Sequence, residues 1–486
     1  MKKLAAVFTA LLMLVAGAAV SAGCGDTRET FDGVVVVNNG DAIYHEDAMK
    51  EGAEEPVHLK IGFTEAGFGR EWIVELSKAF VRENKDVYIE LEGDPVLASS
   101  LFTKLDTGKN LADIFIPLNS AWETYAYKGK IEPLDDLYAQ KPDGASGETV
   151  ADLMDDVYRE YCSLTTKDGT HYYAFPWNAT VTGIVYNKGM FRQYGWEIPE
   201  TTAELKTLCD TILEDTGGAV KPFAYPGKIG GYFDYIGSTW WMQAVGLESY
   251  KSFWSFGGPE VYDPAQAPAS GKRIALDEFS KFFKLETGYA VSGSMGKDHT
   301  TSQMDFMRGQ AAMIVNANWM ESEMKTNTPE GFEMGLMPVP FIENAYAENG
   351  TPVQYNYVTP PDYMIIPAEA AQKELAKEFL LFSCRKEMLQ QYTEITGSPR
   401  PFAYDMPSEE NLTDFAKDVL RIREESVGYF DFSRENVYMG GYAKKYLNGG
   451  DPYSMLVRGE TTGIRFCNQE FAEADKEWST WLTSSN

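Results

Sequence analysis

The chain has 486 residues, with 43 lysines and arginines against 72 aspartates and glutamates, for a formal net charge of −29. A surface this acidic repels phosphate backbones and anionic headgroups, which excludes nucleic acid as a partner. The length exceeds the ~250–300 residues at which one hydrophobic core stops growing, so at least two lobes are expected.

In chain order, residues 1–23 read as a secretory signal. Lys2 and Lys3 precede an uncharged, mostly apolar run over 4–20, and the small residues Ser21, Ala22 and Gly23 follow. Cys24 comes next. This order resembles the lipobox of bacterial lipoproteins, with Ser21 standing where that family usually has leucine. The resemblance implies that Cys24 becomes the first mature residue and carries a lipid anchor. Plain secretion is the other reading, and in both the working domain lies outside the cytoplasm. Loss of the two lysines would take the charge to −31. Residues 24–55, rich in Gly, Asp, Glu and Asn, read as a lipidated N-terminus and tether. Within them 34–37 is either a strand added to the body or an isolated apolar run. No later stretch reaches the ~18 apolar residues of a membrane span.

From 59 a strand-then-helix pattern begins. Residues 59–63 predict a buried strand, and 70–83 a helix with its apolar face at 72, 73, 76, 80 and 81. Strand 87–91, helix 96–105, strand 112–118 and helix 119–128 continue the alternation. This predicts an α/β fold with largely parallel sheets. The pattern restarts with strand 181–186, helix 188–194 and helix 201–213, capped at Thr201 or Thr202. Strands are expected at 311–315 and 363–366, an amphipathic helix at 368–384, and mostly helix from 405. Twelve aromatic residues fall between Phe223 and Tyr262. Four cysteines besides Cys24, at 162, 209, 384 and 467, are too sparse for a disulfide scaffold. Free buried thiols are expected, with up to two bridges left open.

Five segments, in order, resemble one family. They are Ala112 to Phe115 with 129–137 (GKIEPLDDL), 173–176 (YAFP) running into 183–188 (GIVYNK), and 306–313 (FMRGQAAM) with Asn316 and Trp319. The last two are 373–380 (KELAKEFL) and 397–401 (GSPRP). They resemble the extracellular solute-binding proteins of ABC importers, in the sugar-binding, maltose-binding-protein-like branch. The resemblance implies the two-lobe periplasmic-binding-protein-like fold of type II, with ligand held in a cleft between lobes joined by crossing strands. Lobe one would be 56–176 plus 359–402, and lobe two 177–358 plus 403–486. The crossings would fall near 175–183, near 358–363 and just after Arg400. The implied partners are a carbohydrate, the transmembrane subunits of an ABC permease, and the membrane through the lipid. A monomer with no cofactor or metal is implied.

A sugar offers a flat C–H face to aromatic rings and a rim of hydroxyls to carboxylates, amides and arginine. Trp319 takes the place where maltose-binding protein has a ligand-stacking tryptophan, with packing of a helix start as the alternative. Trp240 and Trp241 would point about 100° apart on a helix, so at most one faces the cleft. Trp177 sits beside the first crossing, either on the cleft or packed in the hinge. Glu65 follows the first strand, and Asn119 and Ser120 follow the strand ending near 118. Ligands in open α/β sheets lie beyond such carboxyl ends. Glu65 could instead be a solvated loop acid, and Asn119 a helix cap. Arg400 reaches either a ligand oxygen or a lobe acid. Asp113 is expected to anchor backbone at a strand edge.

Enzyme signatures are scarce. The histidines at 45, 58, 171 and 299 form no HExxH, and there is no P-loop, EF-hand loop or Gly-x-Ser-x-Gly. Binding with lobe closure, not catalysis, is the reading. The alternatives are a secreted glycoside-active enzyme with a carboxylate pair, and a surface sugar-binding adhesin or sensor.

Overall fold

The computed structural model describes residues 27–118, 122–144, 147–254, 257–430 and 452–481. The signal and Cys24 lie outside them. The chain enters through three antiparallel strands, β1 (Arg28–Phe31), β2 (Val34–Val37) and β3 (Ala42–His45). This corrects the tether reading of residues 24–55. The Gly, Asp and Asn content there is turn chemistry. Asp32 and Gly33 join β1 to β2 with φ of 50° and 77°, the left-handed pair of a two-residue hairpin. Val34 and Ile43 are buried in the main core, which holds the hairpin down.

Next come β4 (Val57–Phe63), α1 (Glu71–Glu83), β5 (Val87–Gly93), α2 (Leu97–Thr107) and β6 (Ile114–Ile116). β5, β4 and β6 run parallel, as the strand–helix alternation predicts, and β3 adds antiparallel to β5. The sheet order is β1-β2-β3-β5-β4-β6. α1 buries Trp72, Ile73, Leu76, Phe80 and Val81, the predicted face, and Asn84 ends it by donating to the Phe80 carbonyl at 3.0 Å. Asp113 accepts from the backbone N–H of Lys60 (3.0 Å) and of Gln372 (2.9 Å), fastening the strand edge as expected.

After β7 (Phe175–Pro176) the chain leaves this sheet and builds a second one. Its strands are β8 (Thr182–Asn187), β9 (Lys221–Ala224), β10 (Ala311–Ala317) and β11 (Met334–Met337), in the order β9-β10-β8-β11. Only β9 and β10 are parallel, and β8 is antiparallel to both neighbours, which corrects the largely parallel expectation. β8 starts at the crossing, and β10 ends there with Ala317 opposite Thr182, so the two must run in opposite directions. Helices α3 (Thr202–Asp215), α4 (Gly231–Val245) and α5 (Ala267–Phe283) cover this sheet. Thr201 caps α3 reciprocally with Glu204.

The remainder alternates between the two bodies. β12 (Tyr355–Tyr357) lies with the second. β13 (Tyr363–Met364) pairs with β7, and α6 (Lys373–Phe382) and α7 (Lys386–Thr396) pack on the first. α8 (Asp414–Glu425) returns to the second core, and β14 (Val427–Tyr429) runs parallel to β12. α9 (Gly463–Trp481) docks on α5, where Lys272 Nζ meets the Glu470 carboxylate at 2.6 Å in the interior. Lys272 also lies 4.8 Å from the centre of the Phe253 ring, which lowers the cost of burying its charge. Cys162, Cys209, Cys384 and Cys467 are buried and form no disulfide with one another.

Core membership brackets the passages between bodies, the first two to within three residues and the last between 402 and 415. Ala179 belongs to the first core and Val181 to a core of the second. Val358 packs in the first, while Tyr355 packs in the second. Phe402 is in the first and Phe415 in the second.

Candidate functional site

Buried amides hold the crossings side by side. Asn318 Nδ2 donates to the Ala179 carbonyl (3.0 Å) and to Ser398 Oγ (2.8 Å). Asn356 accepts from Thr182 N–H at 3.1 Å and donates to its carbonyl at 2.7 Å. Asn178 does the same for Asp362, accepting from its N–H and donating to its carboxylate, both at 3.1 Å. Thr180 and Thr359 hydroxyls share a 2.8 Å bond. These pairs satisfy polar backbone where the strands have no ladder of their own.

Trp319 follows the carboxyl end of β10 and leads into the short helix Met320–Met324. It is partly exposed and packs against both cores, so it lies where the two bodies face each other. Two tyrosines from the first turns of α4 stand edge-on to it, Tyr232 at 6.4 Å and Tyr235 at 6.2 Å between ring centres. Burial raises the Tyr235 phenol well above its usual range, and Tyr232, Asp234, Asp362 and Glu323 add to the rise. Carboxylates from both sides therefore converge on one aromatic group. Glu323 accepts from Gln303 Nε2 at 2.7 Å and lies 3.8 Å from His299 Nε2. Asp362 is partly exposed at the second crossing, and burial pushes its carboxyl up to about 7 against the opposing Asn178 bond.

The other sequence-derived candidates fall elsewhere. Trp240 is 0% exposed and donates to the Pro340 carbonyl at 2.9 Å. Trp241 is 3% exposed and donates to the Pro268 carbonyl at 2.7 Å. Both are core residues of the second body, a correction to the expectation that one might face the cleft. α4 is apolar nearly all round, because α5 and β12 press on it from different sides. Trp177 is also buried, stacked on Trp72 at 4.5 Å with 7° between planes and flanked by Phe68 and Tyr392. It packs the hinge, the second of the two readings. Glu65 forms a 3.0 Å ion pair with Arg70 and is a loop acid. Arg400 is 1% exposed; its guanidinium lies over Tyr392 and Phe402 and donates to the Pro176 carbonyl at 3.5 Å. Burial lowers its pKa, and it supports the first crossing rather than reaching out. Asn119, Ser120 and Cys24 lie outside the described residues.

Two cavities flank the crossings. One of about 240 Å³ is lined by Asp155, Tyr158, Thr180, Asn356 and Arg423 among others. A groove of about 610 Å³ runs between Lys188, Glu321 and Lys325 of the second body and Glu394 and Thr396 of α7. Lys325 also reaches across to Glu71, the first residue of α1, at 3.2 Å.

The family described as bacterial extracellular solute-binding protein matches residues 75–420. The chain belongs to that family. Among relatives of this solute-binding protein is the maltotriose-binding protein of Pyrococcus abyssi, 23% identical over 270 residues. That match takes in 55% of this chain and 50% of the relative, so this chain spans about half its length. The multiple sugar-binding protein of Streptococcus mutans is 22% identical over 331 residues, 67% of this chain and 70% of that one. The fold matches RafE of Streptococcus pneumoniae in its apo form, with a TM-score of 0.62 and 17% identity over 88% of this chain and 99% of RafE. It also matches a structure from a study of xylan utilisation by Caldanaerobius polysaccharolyticus, with a TM-score of 0.64 and 16% identity over 86% and 100%. The two-lobe α/β fold is thereby established. No helix among the described residues is long and apolar enough to cross a membrane.

Sequence reasoning missed Tyr232, Tyr235, Asn178 and Asp362 in this solute-binding protein. The tyrosines had a signal: three residues apart on one helix, they share a face and sit in the aromatic-rich stretch. Asn178 and Asp362 had a weaker one, as polar residues inside segments expected to cross.

Proposed function

We propose that this chain is the substrate-binding lipoprotein of an ABC importer. It captures an oligosaccharide outside the cell and delivers it to the permease by lobe closure. The observation that carries the reading is the partly exposed Trp319 between the two cores, with Tyr232 and Tyr235 edge-on to it and the carboxylates of Glu323 and Asp362 acting on the Tyr235 phenol. Aromatic edges and faces suit the C–H surface of a sugar, and carboxylates take its hydroxyls. The relatives named maltotriose-binding and multiple sugar-binding support the ligand class, and binding names favour capture over catalysis. The working lobes are 56–176 plus 359–402 and 177–358 plus 403–486, with Trp177, Ala179 and Val358 at the boundaries packing on the first and the N-terminal hairpin strands riding on it. Cys24 carries the lipid, and the protein acts as a monomer.

The test is calorimetric titration with maltotriose, raffinose, stachyose, xylotriose and chitotriose, with chromatography of the recovered sugar. Saturable binding of an intact oligosaccharide is expected. Cleavage of the sugar would move a glycoside-active enzyme into first place. Mass spectrometry of protein extracted from membranes should find diacylglycerol on Cys24, and a C24A chain should be released into the medium.

A further inference from the structure

The second crossing carries an acid whose surroundings set it apart from the many surface carboxylates. Asp362 lies between β12 and β13, where the chain passes from one body to the other. Its carbonyl accepts from Trp177 N–H at 3.2 Å, and its N–H and carboxylate are held by Asn178. The backbone is therefore fixed from both sides, and one carboxylate oxygen is committed to an amide. On the α4 side it acts on the Tyr235 phenol, with Asp234 and Glu323 close by. On the α7 side it acts on the Tyr392 phenol, beside which the buried Arg400 guanidinium lies at 5.4 Å from the ring centre. Asp362 is thus placed at the second crossing, close enough to the phenols of Tyr235 and Tyr392 to act on both. No ion pair to Asp362 occurs among the described residues, so its charge is offset by an amide alone.

Resting on the carbohydrate reading above, we propose that Asp362 is the ligand-contacting acceptor of the hinge. Its free carboxylate oxygen takes a hydrogen bond from a sugar hydroxyl, and capture strengthens as the carboxyl loses its proton. A charged acceptor binds a hydroxyl more strongly than a neutral acid does, and the gain is larger in a closed, partly dry cleft. Burial places this loss of the proton near pH 7 in the free protein. Because ligand selects the ionised form, affinity is level above that pH. It falls by up to about tenfold for each unit below, until the carboxyl of the complex itself takes up the proton. The Tyr235 and Tyr392 phenols, both raised well above their ordinary range, stay neutral throughout this window. The nearest histidine to the set is His299, 3.8 Å from Glu323, and it serves as the control.

The experiment is titration of the whole protein with the five oligosaccharides named above, from pH 5.5 to 8.5. It compares wild type, Asp362→Asn, Asp362→Ala and His299→Gln, with circular dichroism to show that each variant is folded. For a sugar that binds, wild-type affinity should fall at least fivefold from pH 8 to pH 6. Asp362→Asn should bind at least tenfold more weakly at pH 8 and show a level profile, while His299→Gln keeps the wild-type slope. A level wild-type profile overturns the proposal, as does a slope that persists in Asp362→Asn or vanishes in His299→Gln, and the sugar reading survives each of these. Failure of all five sugars to bind wild type at every pH overturns both together.

Discussion

Two aromatic groups lie beside the crossings, and they have been put to opposite uses. On the first body Trp177 is sandwiched by Trp72 and closed in by Phe68 and Tyr392, so no face is left open. On the second, Trp319 has Tyr232 and Tyr235 edge-on to it, with no ring stacked on its face among the described residues, and stays partly exposed. Both tryptophans adjoin strand ends that point at the other body. What separates them is not their own position in the sequence but the partners brought to them. Trp72 comes from the first turn of α1 and Tyr392 from α7, more than 300 residues apart in the chain. On the function proposed above, a binding face is what remains when no such partner arrives.

The sharpest way to break this contrast is to truncate each ring in turn. Trp177→Ala removes a buried indole with its stack, and large aromatic deletions in cores cost about 3–5 kcal/mol. Its denaturant midpoint should fall accordingly, whereas any sugar affinity measured on the folded fraction should change little. Trp319→Ala should reverse the pattern. We expect about 2 kcal/mol of lost binding, roughly thirtyfold, with a much smaller change in the unfolding midpoint. If both variants lose stability equally and neither loses affinity, the two groups have the same role and the site lies elsewhere.

The hinge carboxylate sharpens the comparison from the side of charge. Asp362 has its pKa raised in the folded protein, from an ordinary 3.8 to about 7. The folded state therefore holds the proton more tightly than the unfolded one. The contribution of Asp362 to stability is greatest at low pH and declines as pH rises from about 4 to about 7, because the native state must then carry a poorly solvated charge. Asp362→Asn lacks this penalty. Relative to wild type it should gain about a third as much at pH 5 as at pH 8, where about 2 kcal/mol is expected once the residual exposure of the side chain is allowed for. Thermal unfolding at the two pH values reads this directly. An equal shift at both would mean that packing, not ionisation, sets the effect.

Much of this was legible from spacing alone, and the failures have a common cause. The α1 face and the Thr201 cap depend on residues within a turn or two of one another, and the parallel β5-β4-β6 core follows from the strand–helix alternation along the chain, so local patterns report them. The tether reading failed because Asp32, Gly33, Asn38 and Asn39 look the same in a flexible linker as in tight turns. What decided between them was Val34 and Ile43 finding the core. Trp240 and Trp241 misled for a related reason. Local spacing says that two adjacent residues point apart, but not that α4 is covered on both sides. Asp362 and Asn178 carry only a weak local signal because their meaning is a contact across 184 positions of sequence. The position of Arg400 in the chain does not announce its burial over Tyr392 and Phe402, which follows from packing that no local pattern encodes.

The smallest effect concerns the pair that spans the two bodies. Lys325 and Glu71 meet at 3.2 Å, but both side chains are largely exposed, at 72% and 61%. An ion pair so open to water and salt contributes little on its own. It does, however, join the first residue of α1 to the helix that follows Trp319, so it exists only while the bodies are close. Glu71→Gln should therefore weaken sugar binding by less than about twofold at physiological salt, and the deficit should shrink further as salt is added. The change should appear in the rate of ligand release, since a contact made only on closure acts on the closed state. A loss as large as that of Trp319→Ala would contradict the contrast drawn above. It would mean that the exposed rim, not the aromatic set between the cores, holds the ligand.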